Sequence, residues 1–221
     1  MLALATHLDV PLRERNSLLL AAGYAPRYSE TALDALAMAR ARSSLERMLD
    51  AHDPYPGVVI DRAWNVVLAN DAAQGLLSGV PAHVLEPSLN VFRLCLHPDG
   101  LASRTLNLDE WAGYLLDQVH RSAQLTGDTR LQAIEEEVRA YPGMDALGLR
   151  SEAPPAGSQL LVPFRMASPA GELSLFTTLT TFGTPRDITL EELSVELFYP
   201  ADDATDAILR SAPAQVTASG G

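Results

Sequence analysis

The stretch of residues 57–77, GVVIDRAWNVVLANDAAQGLL, constrains the fold more than any other part of this chain. It begins with an apolar run at residues 58–60, and a short polar turn follows at residues 61–63. A second strand is predicted from Trp64, where successive residues divide between the two faces of a pleated strand. Asn70 is a residue type that caps helices, and it precedes a predicted helix. The predicted strand faces are Trp64, Val66 and Leu68 against Asn65, Val67 and Ala69, and the predicted helix stripe is Ala73, Leu76 and Leu77.

A strand, a tight turn, a second strand and an Asn-capped helix in this order resemble the beginning of a PAS sensor domain. Such domains receive ligands or signals and do not act as catalysts, so the resemblance implies a sensing function. A plain hairpin that leads into a helix of some other α+β domain would give the same pattern, and this alternative stays open.

Length and composition limit the protein to a few classes. A chain of 221 residues has room for one large domain, or for one domain with a small appendage, and 47% hydrophobic residues suffice for a core. The net charge of −12 argues against nonspecific nucleic-acid binding by the surface as a whole. No apolar run is long enough for a membrane span and no secretion signal begins the chain, so we expect a cytoplasmic protein without a membrane partner. The single Cys95 can form no internal disulfide.

Residues 1–30 are predicted to form a separate helical piece. Two helices joined by a turn at residues 7–11 are expected, because Pro11 suits the first turn of a helix and Gly23 suits a helix end. The apolar positions that support the second helix are Leu12, Leu18, Leu19 and Ala22.

Residues 31–54 are predicted to form a connecting helix. Thr31 and Asp34 make a weak capping pair, and Pro54 would end the helix. Such a helix could carry a signal between two units or could serve only for packing, and the pattern leaves both open. Its predicted stripe is Met38, Ala41, Leu45, Met48, Leu49 and His52.

The rest of the chain predicts helices followed by strands. Asn90, Asn107 and Asp128 each precede apolar positions with helical spacing, which predicts three capped helices. Residues 143–158 are rich in Gly, Pro, Ala and Ser and are predicted to form a loop. Three alternating strands and a short final helix follow, and residues 211–221 are predicted to be a disordered tail.

Five motifs spread in order along the chain resemble the MmyB-like transcription regulators. They are LDVPLRERNSLLLAAGYAP (8–26), YPGVVIDRAWNVVLAN (55–70), NVFRLCLHPDG (90–100), GELSLFTTLTTFGTP (171–185) and ELFYPAD (196–202). The first motif also resembles the final helices of an XRE-type (lambda-repressor-like) DNA-binding domain. In that family the recognition helix comes earlier in the chain, so the resemblance places it before Met1.

The resemblance implies an α+β fold, with a PAS-like five-stranded antiparallel sheet and helices in residues 55–210 and a remnant of an XRE-type helix-turn-helix domain in residues 1–30. It implies a bacterial transcription regulator that senses a fatty-acid-like molecule in a PAS-like cavity and needs no cofactor besides a bound fatty acid. Operator DNA is expected as a partner only if the missing head is restored, and a homodimer is one assembly considered. A stand-alone PAS-like module that binds a ligand or a protein, with no DNA role, is the alternative.

No phosphate-binding loop, nucleophile elbow or paired-Cys metal motif is found in the sequence, so we do not expect an enzyme. Arg93 and His97 lie four residues apart on a predicted helix and share one of its faces. If their apolar neighbours border a cavity, Arg93 could hold a carboxylate through paired hydrogen bonds. An Arg that snorkels over its neighbours or forms an internal ion pair is the alternative. The predicted ligand-binding residues are Phe92, Arg93, Leu96, His97 and Trp111, and no metal ligand is predicted.

Overall fold

The computed structural model describes residues 2–144 and 161–211. The chain begins with three helices, α1 (Leu2–His7), α2 (Leu12–Ala21) and α3 (Ala39–Asp50), with a short 3-10 helix at Leu36–Met38 just before α3. The two predicted N-terminal helices are thereby confirmed, and Gly23 follows α2 with a φ of +83°, a backbone conformation that glycine adopts without strain. Within the described ranges, no helix has the length and apolar character that crossing a lipid bilayer requires.

Five strands form a single antiparallel sheet. They are β1 (Gly57–Ile60), β2 (Val66–Ala69), β3 (Phe164–Ser168), β4 (Gly171–Thr181) and β5 (Ser194–Pro200). Their order across the sheet is β2-β1-β5-β4-β3, so the first of the described strands pairs directly with the last of them. This arrangement confirms the predicted α+β class with a five-stranded antiparallel sheet and helices.

The helices that follow β2 lie mainly on one face of the sheet. They are α4 (Asp71–Leu76), α5 (Ala82–Leu85), α6 (Val91–Leu96), α7 (Leu108–Thr126), α8 (Thr129–Arg139), α9 (Ile188–Glu192) and α10 (Asp203–Ser211), and a 3-10 turn spans Ala102–Arg104. The larger core cluster joins α6, α7 and α8 to β3 and β4. On the opposite face of the sheet, α3 places Leu45 and Leu49 against Val59 and Val195 in a second cluster.

Three asparagine and aspartate caps were correctly predicted. The Asn70 side chain accepts a hydrogen bond from the Ala73 amide, and the side chains of Asn90 and Asp128 accept from the first turns of α6 and α8. Asn70 is also buried, and it accepts from the Gly57 amide, so one side chain fixes the start of β1 against the start of α4.

Asn107 precedes α7 as predicted, but its side chain does not cap the helix. Its amide oxygen accepts from the Arg165 backbone N–H, and its amide nitrogen donates to the Pro163 carbonyl. The residue therefore joins the start of α7 to the start of β3, because a tertiary partner competes with the local cap.

The N-terminal helices are held to the sheet domain by charged side chains. The guanidinium of Arg13 on α2 donates to Glu192 on α9, and the Leu12 amide donates to Glu191. Arg62, in the turn between β1 and β2, donates to both Glu192 and Glu14. The predicted helical piece thus packs directly on the domain that follows it.

The connecting helix begins later than predicted. The hydroxyl of Thr31 donates to Asp187 at 2.7 Å, so it serves a contact between distant parts of the chain and no capping pair with Asp34. Helical structure starts only at Leu36, and Met48, predicted for the buried stripe, is 42% exposed. Asp187 also caps α9, a short helix that the sequence analysis did not predict.

A β-bulge corrects the predicted faces of β2. Leu68 pairs with Val59 and Val66 pairs with Ile60, so Val67 has no opposite residue in the register of these two strands. The extra residue shifts the alternation, so that Val66 and Ala69 share one face of the sheet while Leu68 packs on the other.

Two sequence predictions fall on segments that lie outside the described residues. They are the loop predicted at residues 143–158, from residue 145 onward, and the tail predicted at residues 211–221, from residue 212 onward. Ser211 itself is the last residue of α10.

Candidate ligand-binding site

A cavity lies between the sheet and the helices α4, α6 and α7. Its walls are almost entirely apolar. Side chains from the sheet and from the helices contribute to them, among others Val58, Ala69, Ala73, Leu94 and Leu115. The space between the walls has a volume of about 790 Å³ when the open mouth is included. The part of it that a water-sized molecule can occupy has a volume of about 70 Å³. On that measure the interior is small, with room for roughly five water- or methylene-sized groups.

Two buried side chains bring unpaired polar atoms to the apolar wall. Glu196 lies in the middle of β5 and is 7% exposed, and Trp111 lies on the first turn of α7 and is 5% exposed. Within the described part of the chain, neither the Oε2 atom of Glu196 nor the indole N–H of Trp111 has a hydrogen-bond partner. Buried polar groups are normally hydrogen-bonded, so two unpaired ones on a single cavity need an explanation.

Burial determines the charge state of this region. It raises the pKa of Glu196 to about 7, while a hydrogen bond from Thr177 acts in the opposite direction. Burial first, and the Glu196 charge second, raise the pKa of the Cys95 thiol to about 12. The same two causes raise the pKa of the Tyr114 phenol. Near neutral pH the cavity therefore holds a thiol, a phenol and a carboxyl group that is close to half protonated.

The arrangement favours neutral over ionic contacts. None of the described residues that form the wall is an arginine or a lysine, so a buried ligand anion would find no cation there. A ligand with an apolar chain and a neutral polar group would satisfy both the walls and the two unpaired atoms.

Of the five predicted ligand-binding residues, Trp111 lies on the cavity wall. Its ring stacks against Phe164 on β3 and Tyr114 on α7, with centroid distances of 5.1 and 5.4 Å. These contacts hold the indole in a fixed position at the cavity.

Arg93 lies on another side of α6. Its Nε and Nη2 atoms donate to the two carboxylate oxygens of Glu137 on α8, at 2.7 Å each, and the side chain is 16% exposed. These hydrogen bonds hold the pKa of Glu137 below its usual range. The internal ion pair, kept above as the alternative for Arg93, is what the structure contains.

Phe92, Leu96 and His97 are also outside the described wall. Phe92 and Leu96 are completely buried behind it, and the Phe92 ring packs on Trp64 at 4.9 Å. His97 belongs to a surface group with His83 and Asp99. One possible metal-ligand atom from each of the three side chains lies within 4.8 Å of the other two.

The periodicity of α6 explains this division. Val91, Leu94 and Cys95 lie on the cavity wall, whereas Arg93 on another side of the helix reaches Glu137 of α8. Every residue from 91 to 96 except Arg93 is apolar, so the pattern alone did not distinguish the two faces of this helix.

Glu196 was missed by the sequence analysis. The signal was present, since an acidic residue interrupts the apolar run of β5 between Val195 and Leu197. An acidic side chain in the middle of a central strand is rarely buried without a functional reason.

The sequence of residues 41–212 matches the family described as the MmyB-like transcription regulator ligand binding domain. The match covers most of the chain and confirms the resemblance drawn from the five motifs. A search of curated proteins found no match. A domain of this family binds a small molecule, and the cavity described above is the candidate place for it.

Proposed function

Because the chain belongs to the family of MmyB-like transcription regulator ligand binding domains, we propose that its cavity binds the apolar chain of a fatty-acid-like molecule. The observation that carries the proposal is the apolar interior between the sheet and α4, α6 and α7. Burial of one methylene group is worth about 0.8 kcal/mol. Roughly five such groups inside the cavity would therefore contribute about 4 kcal/mol to binding.

We propose binding and no catalysis. Cys95 borders the cavity, but with its pKa near 12 it stays a thiol at neutral pH and is a poor nucleophile. Glu196 is close to half protonated there, and the one side chain that acts on its pKa is the uncharged Thr177. This set lacks the activated nucleophile and oriented base that group transfer needs.

A first test identifies the ligand directly. Protein purified from cells under native conditions is denatured and extracted, and the extract is analysed by mass spectrometry. We expect a medium-to-long acyl chain in an amount close to that of the protein. Extracts without any such molecule, together with no binding of added fatty acids, would contradict the proposal.

A second test uses two neighbouring alanines of α4. Ala73 lies on the cavity wall, whereas Ala72 is half-buried and lies outside it. Ala73→Leu places three more carbon atoms in the cavity and should weaken binding of decanoate or 1-decanol by at least about tenfold. Ala72→Leu should change the affinity by less than about twofold. Equal effects of the two substitutions would show that the ligand binds elsewhere.

We also propose that this 221-residue polypeptide alone does not select an operator sequence. In residues 1–30, three arginines are balanced by three acidic residues. Arg13 is engaged with Glu30 and Glu192, and Arg15 donates to the backbone carbonyl of Val10. Little free positive charge remains for phosphates, whose neutralisation dominates affinity for duplex DNA.

A gel-shift experiment on the promoter of its own gene tests this second proposal. No complex is expected at micromolar protein, and a polypeptide extended upstream by a helix-turn-helix should shift the same DNA. Sequence-selective binding by the 221 residues would contradict this proposal and would mean that α1 or α2 is a recognition helix.

A further inference from the structure

The unpaired atoms of Glu196 and Trp111 define the polar group that the cavity accepts. We propose that these two residues form a recognition point for a neutral ligand group that both donates and accepts a hydrogen bond, such as an alcohol or a primary amide at the end of an apolar chain. The inference rests on the proposed binding function and adds the chemical class of the buried ligand end.

The position of Glu196 directs its carboxyl group to the cavity. The residue pairs with Val58 on β1 and Leu179 on β4, so it lies in the interior of the sheet and on the face that carries the cavity. Neighbouring Thr177 interacts with the carboxyl group, and among the described residues the Oε2 atom has no partner. One oxygen atom is therefore left for a ligand.

Trp111 supplies the complementary donor. Its indole ring is fixed between two aromatic rings, and within the described ranges its N–H makes no hydrogen bond of normal geometry. The Cys95 thiol is a neighbour of both residues, because, in addition to burial, the charge of Glu196 raises its pKa and the N–H of Trp111 lowers it. A sulfur atom is a weak acceptor, so the indole donor remains available to a better one.

The two atoms select among ligand end groups. A hydroxyl group accepts from the Trp111 N–H and donates to the Glu196 oxygen, so it satisfies both. A carboxylate accepts from the indole but places its charge against Glu196 unless one proton is shared between the two acids. An ammonium donates to Glu196 but leaves the indole N–H and its own remaining donors unpaired in an apolar surrounding.

The surroundings of Glu196 make the carboxylate case dependent on pH. Cys95 on α6 and Tyr114 on α7 are the titratable groups near it, and Arg121 acts on Tyr114 from further along α7. The neighbours on β1 and β4 are Val58, Leu179 and Thr177, which carry no charge. A ligand carboxylate can therefore bind only when one proton is held between it and Glu196, and its affinity should fall as Glu196 ionises.

The test compares three ligands with the same ten-carbon chain: 1-decanol, decanoate and decylammonium. Binding to the full chain is measured by calorimetry at pH 6, 7 and 8, in two buffers of different ionisation enthalpy. We expect 1-decanol to bind most tightly at pH 8, with an affinity that changes less than threefold across the range. Decanoate should weaken by about tenfold per pH unit above 7, and its binding should take up about one proton at pH 8 and few at pH 6.

Variants separate recognition from packing. Glu196→Gln keeps an acceptor and a donor without charge, so decanoate should bind equally at all three pH values and 1-decanol should be retained. Trp111→Phe should weaken 1-decanol by about tenfold and abolish its advantage over the other two ligands. Trp64→Phe makes the same reduction in side-chain volume at another position of the cavity wall. It should weaken the binding of all three ligands alike. Glu172→Gln, a carboxylate exposed on β4, should change none of the three affinities.

Three results would overturn the inference. The first is an equal affinity for all three ligands at every pH, and the second is tightest binding of decylammonium. The third is decanoate binding that keeps its pH dependence in Glu196→Gln. Failure of the proposed function looks different. In that case none of the three ligands would bind, or each would bind to Ala73→Leu as tightly as to the parent protein. Melting temperatures of each variant show whether a loss of binding reflects loss of the fold.

Discussion

On one face of the sheet, Val59 and Val195 pack against Leu45 and Leu49 of α3, and all four side chains are almost completely buried. On the other face, Val58 and Glu196 border the cavity below α6 and α7. Val58 and Val59 are neighbours on β1, and Val195 and Glu196 are neighbours on β5, the strand that pairs with β1. A strand places successive side chains on opposite faces, so each of these two strands contributes both to a filled core and to a cavity wall.

The difference shows how this domain can remain stable around a cavity. The filled face carries the contacts that hold β1, β5 and α3 together, while the cavity face leaves space and two unpaired polar atoms. A cavity wall makes fewer favourable contacts than a filled core, since atoms that border a space lose partners on one side. The experiments below test this division, from the largest expected effect to the smallest.

Two leucines with equal exposure give the most direct comparison. Leu49 on the filled face and Leu115 on the cavity wall are each 2% exposed. Leu49→Ala should lower the free energy of unfolding by about 4 kcal/mol, and Leu115→Ala by about 2 kcal/mol, because Leu115 already borders space. Urea denaturation measures both losses. Equal losses would show that the two faces are packed alike.

Glu196 gives the second comparison, through the pH dependence of stability. Its pKa is about 7 in the folded protein against 4.5 for an ordinary Glu, so the unfolded chain releases its proton first as the pH rises. The stability of the parent should therefore fall between about pH 4.5 and pH 7 and then level off, by about 3 kcal/mol for this one group. Glu196→Gln should remove that fall.

Urea denaturation of the parent and of Glu196→Gln from pH 4.5 to pH 8 measures this difference. Glu172→Gln, which changes an exposed carboxylate on β4, is the matched control and should follow the parent. If Glu196→Gln also follows the parent, the carboxyl group is hydrated in solution and the cavity face is wetter than its walls indicate.

Arg93 provides the smallest effect and tests where the cavity face ends. It lies behind the wall and is paired with Glu137, a partly exposed side chain. Arg93→Met should lower the free energy of unfolding by about 1–2 kcal/mol, since one charged hydrogen-bonded pair is lost in a partly hydrated place. The affinity for 1-decanol should change by less than about twofold.

Arg165→Met serves as the control, because the Arg165–Glu172 pair is exposed and should contribute less than about 0.5 kcal/mol. Urea denaturation and ligand titration are both needed. A large loss of affinity in Arg93→Met with unchanged stability would return Arg93 to the binding site.

Much of the fold could be predicted because its signals are local. Asn70, Asn90 and Asp128 cap helices through contacts with amides two or three residues away, and the strand and helix periods follow from backbone geometry. The family motifs add the order of these elements. What could not be predicted depends on distant partners, as with Thr31, which bonds to Asp187 and leaves the expected cap unformed.

The sequence by itself determined the α+β class, the positions of most helices and strands, and the family, and it singled out Trp111, which lies on the cavity wall. Only the tertiary structure decided which face of α6 borders the cavity and that Arg93 belongs to an ion pair. It also revealed Glu196 as the buried polar group of the site. The physical reason is that caps and periods depend on neighbours in the chain, whereas burial and pairing depend on residues that the fold brings together from far apart.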